Sequence, residues 1–274
     1  MGAERQPPPV TGPGRIDTEF AALQLASDRL TPTSPEPIVS FLVPAYNEAS
    51  SLEDVLRRVY ALPLHAEVIA VDDGSTDPTP EILERFAQSH GLIAVRHERN
   101  RGKGAAVRTG IARSTGEVVV IQDADMEYDP SDVPELIRPI VEGYADVVYG
   151  SRLTGGRPQR AYMFWHLLGN RLLALLTNVL WNTTLSDMET GYKAFRGELV
   201  RSFELTEDDF RIEPEITANI LDRKLRLYQV PIAYYGRAYD EGKKIGWRDG
   251  PPAVWTLLRL RFGPSHRRRT DSWR

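Results

Sequence analysis

The stretch from 38 to 149 restricts this chain most, because five short apolar runs alternate there with four segments of helical period. The runs at 38–43, 67–71, 92–96, 118–122 and 146–149 are dominated by Val, Ile and Leu and read as strands. The segments between them, at 48–62, 78–89, 103–113 and 133–142, read as helices; in the first, Leu52, Val55, Leu56 and Val59 form one stripe. Strands alternating with helices of this length predict βαβ units and a mainly parallel sheet flanked by helices. With 274 residues, the chain is long enough to bury a sizeable core around such a sheet.

Successive parallel strands deliver their C-terminal ends to one edge of the sheet, and in open α/β sheets ligands bind beyond that edge. Every strand but the third ends there in an unusual polar cluster. The fourth runs into Asp123, Asp125 and Glu127. If the backbone stays extended, residues at i and i+2 share a face about 6–7 Å apart. Two or three carboxylates so placed suit one hard, oxygen-seeking cation. The first strand ends in Pro44-Ala45-Tyr46-Asn47-Glu48, the second in Asp72-Asp73-Gly74-Ser75-Thr76-Asp77 and the fifth in Gly150-Ser151-Arg152. The loop after the third is Asn100-Arg101-Gly102-Lys103-Gly104. Each alone reads as caps and turns: Asn47 or Ser75 capping a helix, Gly74, Gly102 and Gly104 in turns, Lys103 solvated. Five such clusters on one edge read more economically as one site.

A cation held by acids, with Lys103 or Arg152 beside it, describes a diphosphate site, because Mg²⁺ commonly binds through one or two carboxylates plus substrate phosphates. No Gly-x-x-x-x-Gly-Lys-Ser/Thr and no Gly-x-Gly-x-x-Gly follows a strand, which excludes a P-loop NTPase and a dinucleotide-binding dehydrogenase. Asp73 is placed to accept hydrogen bonds from a base or ribose. The physical inference is a metal-bound nucleoside diphosphate carrying a group to transfer.

These five clusters occur in the order and spacing of family 2 glycosyltransferases, and the chain most resembles the polyprenyl- (dolichyl-) phosphate mannose and glucose synthases over residues 37–245. The resemblance implies a GT-A fold (the Rossmann-like nucleotide-diphospho-sugar transferase fold) with C-terminal acceptor-side helices. It also implies a nucleotide-sugar donor, Mg²⁺ or Mn²⁺, and inversion at the anomeric carbon. By position, Pro44, Tyr46, Asn47 and Glu48, with Asp73, would hold the nucleoside, and Lys103 would lie near them. Asp123, Asp125 and Glu127 would hold the metal, with Asp125 central to catalysis. Arg152 would face donor or acceptor phosphate. The turn Ser186-Asp187-Met188-Glu189-Thr190-Gly191-Tyr192-Lys193 resembles the family's acceptor-side turn, and Arg237 and Lys243 its basic pair closing over the phosphates. The spacing around Gly242 is longer than in the mannose synthases, which leaves the sugar open.

A lipid phosphate acceptor is ionised already, its second pKa being about 6, and needs only positioning. A sugar or small-molecule hydroxyl would need a general base, for which Asp187 or Glu189 is the candidate. A nucleotidyltransferase is the more remote reading, since its Gly-rich, Arg-containing loop after the first strand is missing. A non-catalytic sugar-nucleotide module is disfavoured by intact Asp123 and Asp125.

The remaining segments bear on location. Residues 1–36 are rich in Pro, Gly, Ser and Thr and read as a mobile arm. No secretory signal is evident, and no uninterrupted apolar run reaches the roughly 20 residues of a spanning helix. The chain is therefore expected to be cytoplasmic. Its net charge of −4 argues against nucleic-acid binding. The segment 161–181 reads as a long apolar helix with His166, Asn170, Thr177 and Asn178 on a narrow polar stripe. Residues 246–274 read as an amphipathic, basic tail in which the apolar turn 253–258 precedes six arginines and one acid, Asp271. Both segments suit peripheral contact with an anionic membrane surface or with a membrane partner protein.

Overall fold

β1 (Val39–Ala45) is an interior strand of the sheet, paired in parallel with β2 (Ala66–Asp72) on one side and β4 (Val118–Ile121) on the other. A computed structural model describes residues 38–157, 160, 164–236 and 250–263. The expected arm at 1–36 and both Arg237 and Lys243 lie outside the described residues. The described helices are α1 (Leu52–Tyr60), α2 (Thr79–His90), α3 (Lys103–Arg113), α4 (Val133–Val141), α5 (Phe164–Trp181), α6 (Gly197–Arg201), α7 (Ile212–Asp222) and α8 (Gly250–Phe262). The other strands are β3 (Ile93–Arg96), β5 (Val147–Ser151), β6 (Lys193–Arg196) and β7 (Leu227–Pro231), and the sheet order is β3-β2-β1-β4-β6-β5-β7.

Strand alternation divides the core into two layers. Val39, Phe41 and Val43 of β1, with Val118 and Val120 of β4, pack under α1, α2 and α4. Leu42, Val119 and Ile121 point the other way, onto Ala106 and Val107 of α3 and Ile212, Ile216 and Ile220 of α7. All of these side chains are buried, and each contributes about 1.5–3 kcal/mol if large. A one-residue slip of β1 or β4 would exchange the layers, so the register is strongly fixed. The chain leaves β1 toward β2 and β3, then returns to place β4 on β1's other flank. That reversal of strand order opens a crevice between the C-terminal ends of β1 and β4.

Three features differ from the sequence reading. β6 is an unexpected strand, inserted antiparallel between β4 and β5. Two antiparallel pairings in succession restore β5 to the direction of β4, so Arg152 still reaches the common edge. Residues 250–262 form a helix instead of an apolar turn; Pro251 and Pro252 lie in its first turn, where proline is tolerated. Finally, β4 ends at Ile121 and the chain turns, with Met126 in the left-handed region at φ 59°. The acids that follow are therefore presented by a turn and not by a continued pleat.

Candidate active site

A cleft of about 580 Å³ opens at the C-terminal edge, over the point where the strand order reverses. Its floor is the end of β1 with the segment after it and the turn after β4: Pro44, Tyr46, Glu48, Asp123, Asp125 and Glu127 all line it. Asp73, Lys103, Arg152 and Glu189 line it as well, so ten of the residues singled out in the sequence share one cavity. Asn47 and Asp187 do not line it.

The two off-cleft residues act on their neighbours. Asn47, at φ 53°, accepts a hydrogen bond on Oδ1 from the Thr76 amide at 2.9 Å, while its own amide donates to Ser75 Oγ at 2.9 Å. It ties the turns after β1 and β2 together. Asp187 is fully buried and accepts from Arg152 Nε and Nη2, both at 2.7 Å, and from the Arg152 amide at 3.0 Å. Burial works to raise the Asp187 pKa, but Arg152 overcomes it and holds the carboxyl below its ordinary range. Burial likewise opposes the charge on Arg152, and Asp187 raises its pKa above the usual value. An acid so held is a poor general base. Asp187 instead aims the guanidinium, which also lies 5.1 Å from the centre of the Tyr234 ring.

Asp73 is similarly committed. Its oxygens accept from His97 Nδ1 at 2.6 Å, from the Arg101 amide at 3.0 and 3.1 Å, and from the Gly102 amide at 2.7 Å. These bonds fill its roughly four acceptor positions and fold the 100–104 loop against the sheet. Gly102 completes that loop at φ 100°, where a Cβ would lie 2.4 Å from the Asp208 carbonyl oxygen.

Lys103 stands between two acids, with Nζ 2.9 Å from Asp123 Oδ1 and 3.3 Å from Glu213 Oε1. Burial lowers its pKa, but the two carboxylates more than reverse this and hold the ammonium charged. Glu213, at the start of α7, also pairs with Lys193, whose Nζ donates to the Met188 carbonyl at 3.2 Å and to that of Thr190. Glu213 does not stand out in the sequence, and Lys193 enters there only as the last residue of the turn that resembles the family's acceptor-side turn. Glu213 reads as an ordinary first-turn acid of a helix, and no strand is read at Lys193. Gly191 is packed against this network: a Cβ there would lie 2.4 Å from Asp123 Oδ2.

The acids after β4 are the candidate metal ligands. Asp125 Oδ1 accepts from the Glu127 amide at 3.1 Å, and Glu127 Oε2 accepts from the Tyr234 hydroxyl at 3.0 Å. Among the described residues, no three acids or histidines come together as a metal cage. Asp123 already holds one cation, the Lys103 ammonium. This donor set fits an ion carried by one or two carboxylates and completed by substrate phosphates. It does not fit a site built wholly from protein.

The fourth wall comes from α5. His166, Asn170 and Arg171 line the cleft, while Asn178 is bonded to the backbone of Leu185. Trp165, Leu168, Leu172, Leu175 and Val179 are exposed and spaced three, four, three and four residues apart, one stripe of the helix. Between the two surfaces, Leu173 packs with Met188, Ala253 and Leu257, which docks α8 beside α5. Trp255 and Phe262 extend the exposed apolar surface onto α8. No helix of the described residues is long and apolar enough to cross a membrane.

A mainly parallel sheet with its cleft at the β1/β4 switch point and acids after β4 defines the GT-A class of fold. Solved structures agree. The chain resembles glucosyl-3-phosphoglycerate synthase of Mycobacterium tuberculosis, with a TM-score of 0.66 at 23% identity over 88% of this chain and 84% of that one. It also resembles a mannosyltransferase of Pyrobaculum calidifontis solved with GDP-Man and Mn²⁺, with a TM-score of 0.54 at 21% identity over 94% and 81%. The chain belongs to glycosyl transferase family 2, whose profile matches residues 40–203. It is 30% identical over 212 residues to dolichol-phosphate mannosyltransferase of Pyrococcus furiosus, covering 76% of this chain and 59% of that protein. It is 32% identical over 220 residues to undecaprenyl-phosphate 4-deoxy-4-formamido-L-arabinose transferase of Pseudomonas aeruginosa, covering 78% and 62%. The chain thus spans about three fifths of these relatives' length.

Proposed function

We propose that this chain transfers a hexose from a UDP- or GDP-sugar to a polyprenyl phosphate, with inversion at the anomeric carbon and with Mg²⁺ or Mn²⁺ bound through Asp123 and Asp125. The observation that carries this reading is the two-sided helix α5. Its polar side closes a cleft containing both acids and a buried Arg, and its apolar stripe faces outward beside that of α8. A lipid phosphate is the substrate that needs a polar cleft and an apolar rim together. Relatives that act on dolichol phosphate and undecaprenyl phosphate support the same acceptor class.

On this reading the segment from Pro44 to Glu48 holds the nucleoside, beside the loop that Asp73 and Asn47 brace. A bound Mg²⁺ or Mn²⁺ would neutralise charge on the departing nucleoside diphosphate. Glu127, tethered to Tyr234, lies in the same turn as Asp123 and Asp125. Lys103 adds a second positive charge next to the diphosphate, and Glu213 keeps it in place. Arg152 orients the acceptor phosphate; Asp187 uses two of its five guanidinium donors, and the rest suit phosphate oxygens. Arg237 and Lys243 are assigned to the phosphates from their position in the sequence alone. The exposed apolar residues of α5 and α8 rest on the membrane, and the arginine-rich composition of the chain beyond 259 suits anionic headgroups.

The donor half of this proposal is tested by thermal shift with UDP, GDP, UDP-glucose and GDP-mannose, each with Mn²⁺. Stabilisation by one base class and its sugar is expected, and loss of it in Asp125→Ala. Indifference to all four would refute the donor assignment.

A further inference from the structure

Among the described residues, Glu189 keeps one carboxyl oxygen, Oε1, without a hydrogen bond inside the charge network that surrounds it. It lies in the turn between α5 and β6, lines the cleft, and keeps Oε1 sealed from solvent with no hydrogen bond. Its charged neighbours are already committed. Asp187, on the same turn, is held by Arg152 from the end of β5, and Lys193 of β6 is taken by Glu213 of α7 and two backbone carbonyls. Tyr149 of β5 donates or accepts with Thr217 and lies under the Lys193 ammonium at 4.6 Å. Across the cavity stand His166 and Arg171 of α5.

A carboxylate in this position would face the Glu213 carboxylate and leave a buried oxygen without a donor, a costly arrangement. A protonated carboxyl removes the repulsion and presents an O–H to whatever enters the cleft. We propose that Glu189 is held as a neutral carboxylic acid and donates a hydrogen bond to a non-attacking oxygen of the acceptor phosphate. This assignment rests on the phosphate-acceptor reading above and gives the site a device for selecting a phosphate over a hydroxyl. Burial, joined by the Glu213 carboxylate, pushes the Glu189 pKa up to about 7, in keeping with that state.

The reaction balances without Glu189 losing its proton. One phosphate oxygen forms the bond to the anomeric carbon while the bond from that carbon to the diphosphate breaks. The electron pair leaves with the nucleoside diphosphate. The acceptor goes from a dianion to a monoanionic diester, so its hydrogen bond from Glu189 weakens as product forms, which favours release.

The pH dependence has a definite sign. The acceptor must be a dianion, which holds above about pH 6, and Glu189 must keep its proton, which fails as pH rises through about 7. Acceptor kcat/KM should therefore peak between these values and fall on the alkaline side. A general base at Glu189 predicts the reverse, a rise through 7.

The test is acceptor kcat/KM with a short-chain polyprenyl phosphate from pH 5.5 to 8.5, for wild type, Glu189→Ala and Glu189→Gln. Ala is expected to lose about ten- to hundredfold near pH 6.5, the value of one hydrogen bond to a charged group. Gln keeps an N–H donor and cannot ionise. It is expected to regain most of that loss and to remove the alkaline fall. Infrared difference spectra should show a carboxylic acid band in wild type at pH 6 that is missing in Glu189→Gln. A Gln variant as poor as Ala, a wild-type rate that climbs through pH 7, or the missing acid band in wild type would each overturn the assignment. Wild type that binds its nucleotide sugar yet transfers to no phosphate acceptor at any pH overturns the acceptor reading, and this proposal with it.

Discussion

Replacing Asp187 by Asn tests how Arg152 is held. The substitution keeps the size of the side chain, removes its charge, and turns an N–H toward a guanidinium that needs an acceptor. Three hydrogen bonds of 2.7–3.0 Å converge on this fully buried carboxylate. Breaking one partner out of a buried ion pair costs about 3–5 kcal/mol, because the other charge stays buried and unpaired. At about 2–4 °C per kcal/mol for a domain of this size, Tm should fall by roughly 6–20 °C. Acceptor kcat/KM should fall on the order of ten- to hundredfold as Arg152 loses its orientation. The pair Arg152→Met with Asp187→Leu separates the two effects, since an apolar replacement of both partners restores most of the stability but none of the transfer. The carboxyl of Asp187 is held below its ordinary range in the folded chain, so its contribution is complete above the unfolded value of about 3.9 and is lost as pH falls through the folded value. The stability gap between wild type and Asp187→Asn should accordingly close in acid. Thermal unfolding by circular dichroism at pH 7 and pH 3 measures this. A variant with wild-type Tm and wild-type acceptor kcat/KM would refute the positioning role.

Three further predictions concern the loop, the metal edge and the rim. Asp73→Asn should release the amides of Arg101 and Gly102, which lose a charged acceptor; their hydrogen-exchange protection should drop while that of β1 is retained. Gly191→Ala places a Cβ 2.4 Å from Asp123 Oδ2 and 3.0 Å from Lys103 Nζ. It should cost about 1–3 kcal/mol in urea unfolding and weaken Mn²⁺ binding in the presence of nucleotide at least tenfold, read by calorimetry. Trp165→Asp with Leu172→Asp alters residues that are 77% and 57% exposed. Flotation with phosphatidylserine vesicles should be lost, while stability stays within about 0.5 kcal/mol of wild type and nucleotide binding is unchanged.

The alternation of strands and helices was legible because the strands are runs of branched apolar residues and the first helix has a clean stripe. α3 begins and ends where its period predicts, at Lys103 and Arg113. β6 escaped because it is four residues long and begins with Lys193, which is charged and wholly buried. A buried lysine has no signature until Glu213, twenty residues later, is known to face it. The acids after β4 were visible as a cluster, but their geometry was not. Alternation applies only while the backbone is extended, and Met126 breaks it with a left-handed turn. The motifs also concealed a division of labour. Asn47, Asp73 and Asp187 look like ligand contacts in the sequence; in the fold they also brace turns, a loop and an arginine, and of the three Asp73 lines the cleft. Their hydrogen bonds go to backbone amides and to side chains distant in sequence, partners that no local pattern reveals. On α5, the polar stripe was legible from spacing, whereas its direction, toward the cleft, follows from where Met188 and α8 pin the helix.

The most direct test of the whole account is product formation on a lipid phosphate. The chain would be incubated with its stabilising nucleotide sugar, Mg²⁺ or Mn²⁺, and a short-chain polyprenyl phosphate, and the lipid fraction analysed by mass spectrometry and by NMR of the anomeric centre. The account predicts a hexosyl phosphate lipid of inverted configuration, one nucleoside diphosphate released per lipid formed, and no product from Asp125→Ala. Release of pyrophosphate, or transfer to a saccharide hydroxyl with the lipid phosphate left untouched, would contradict it.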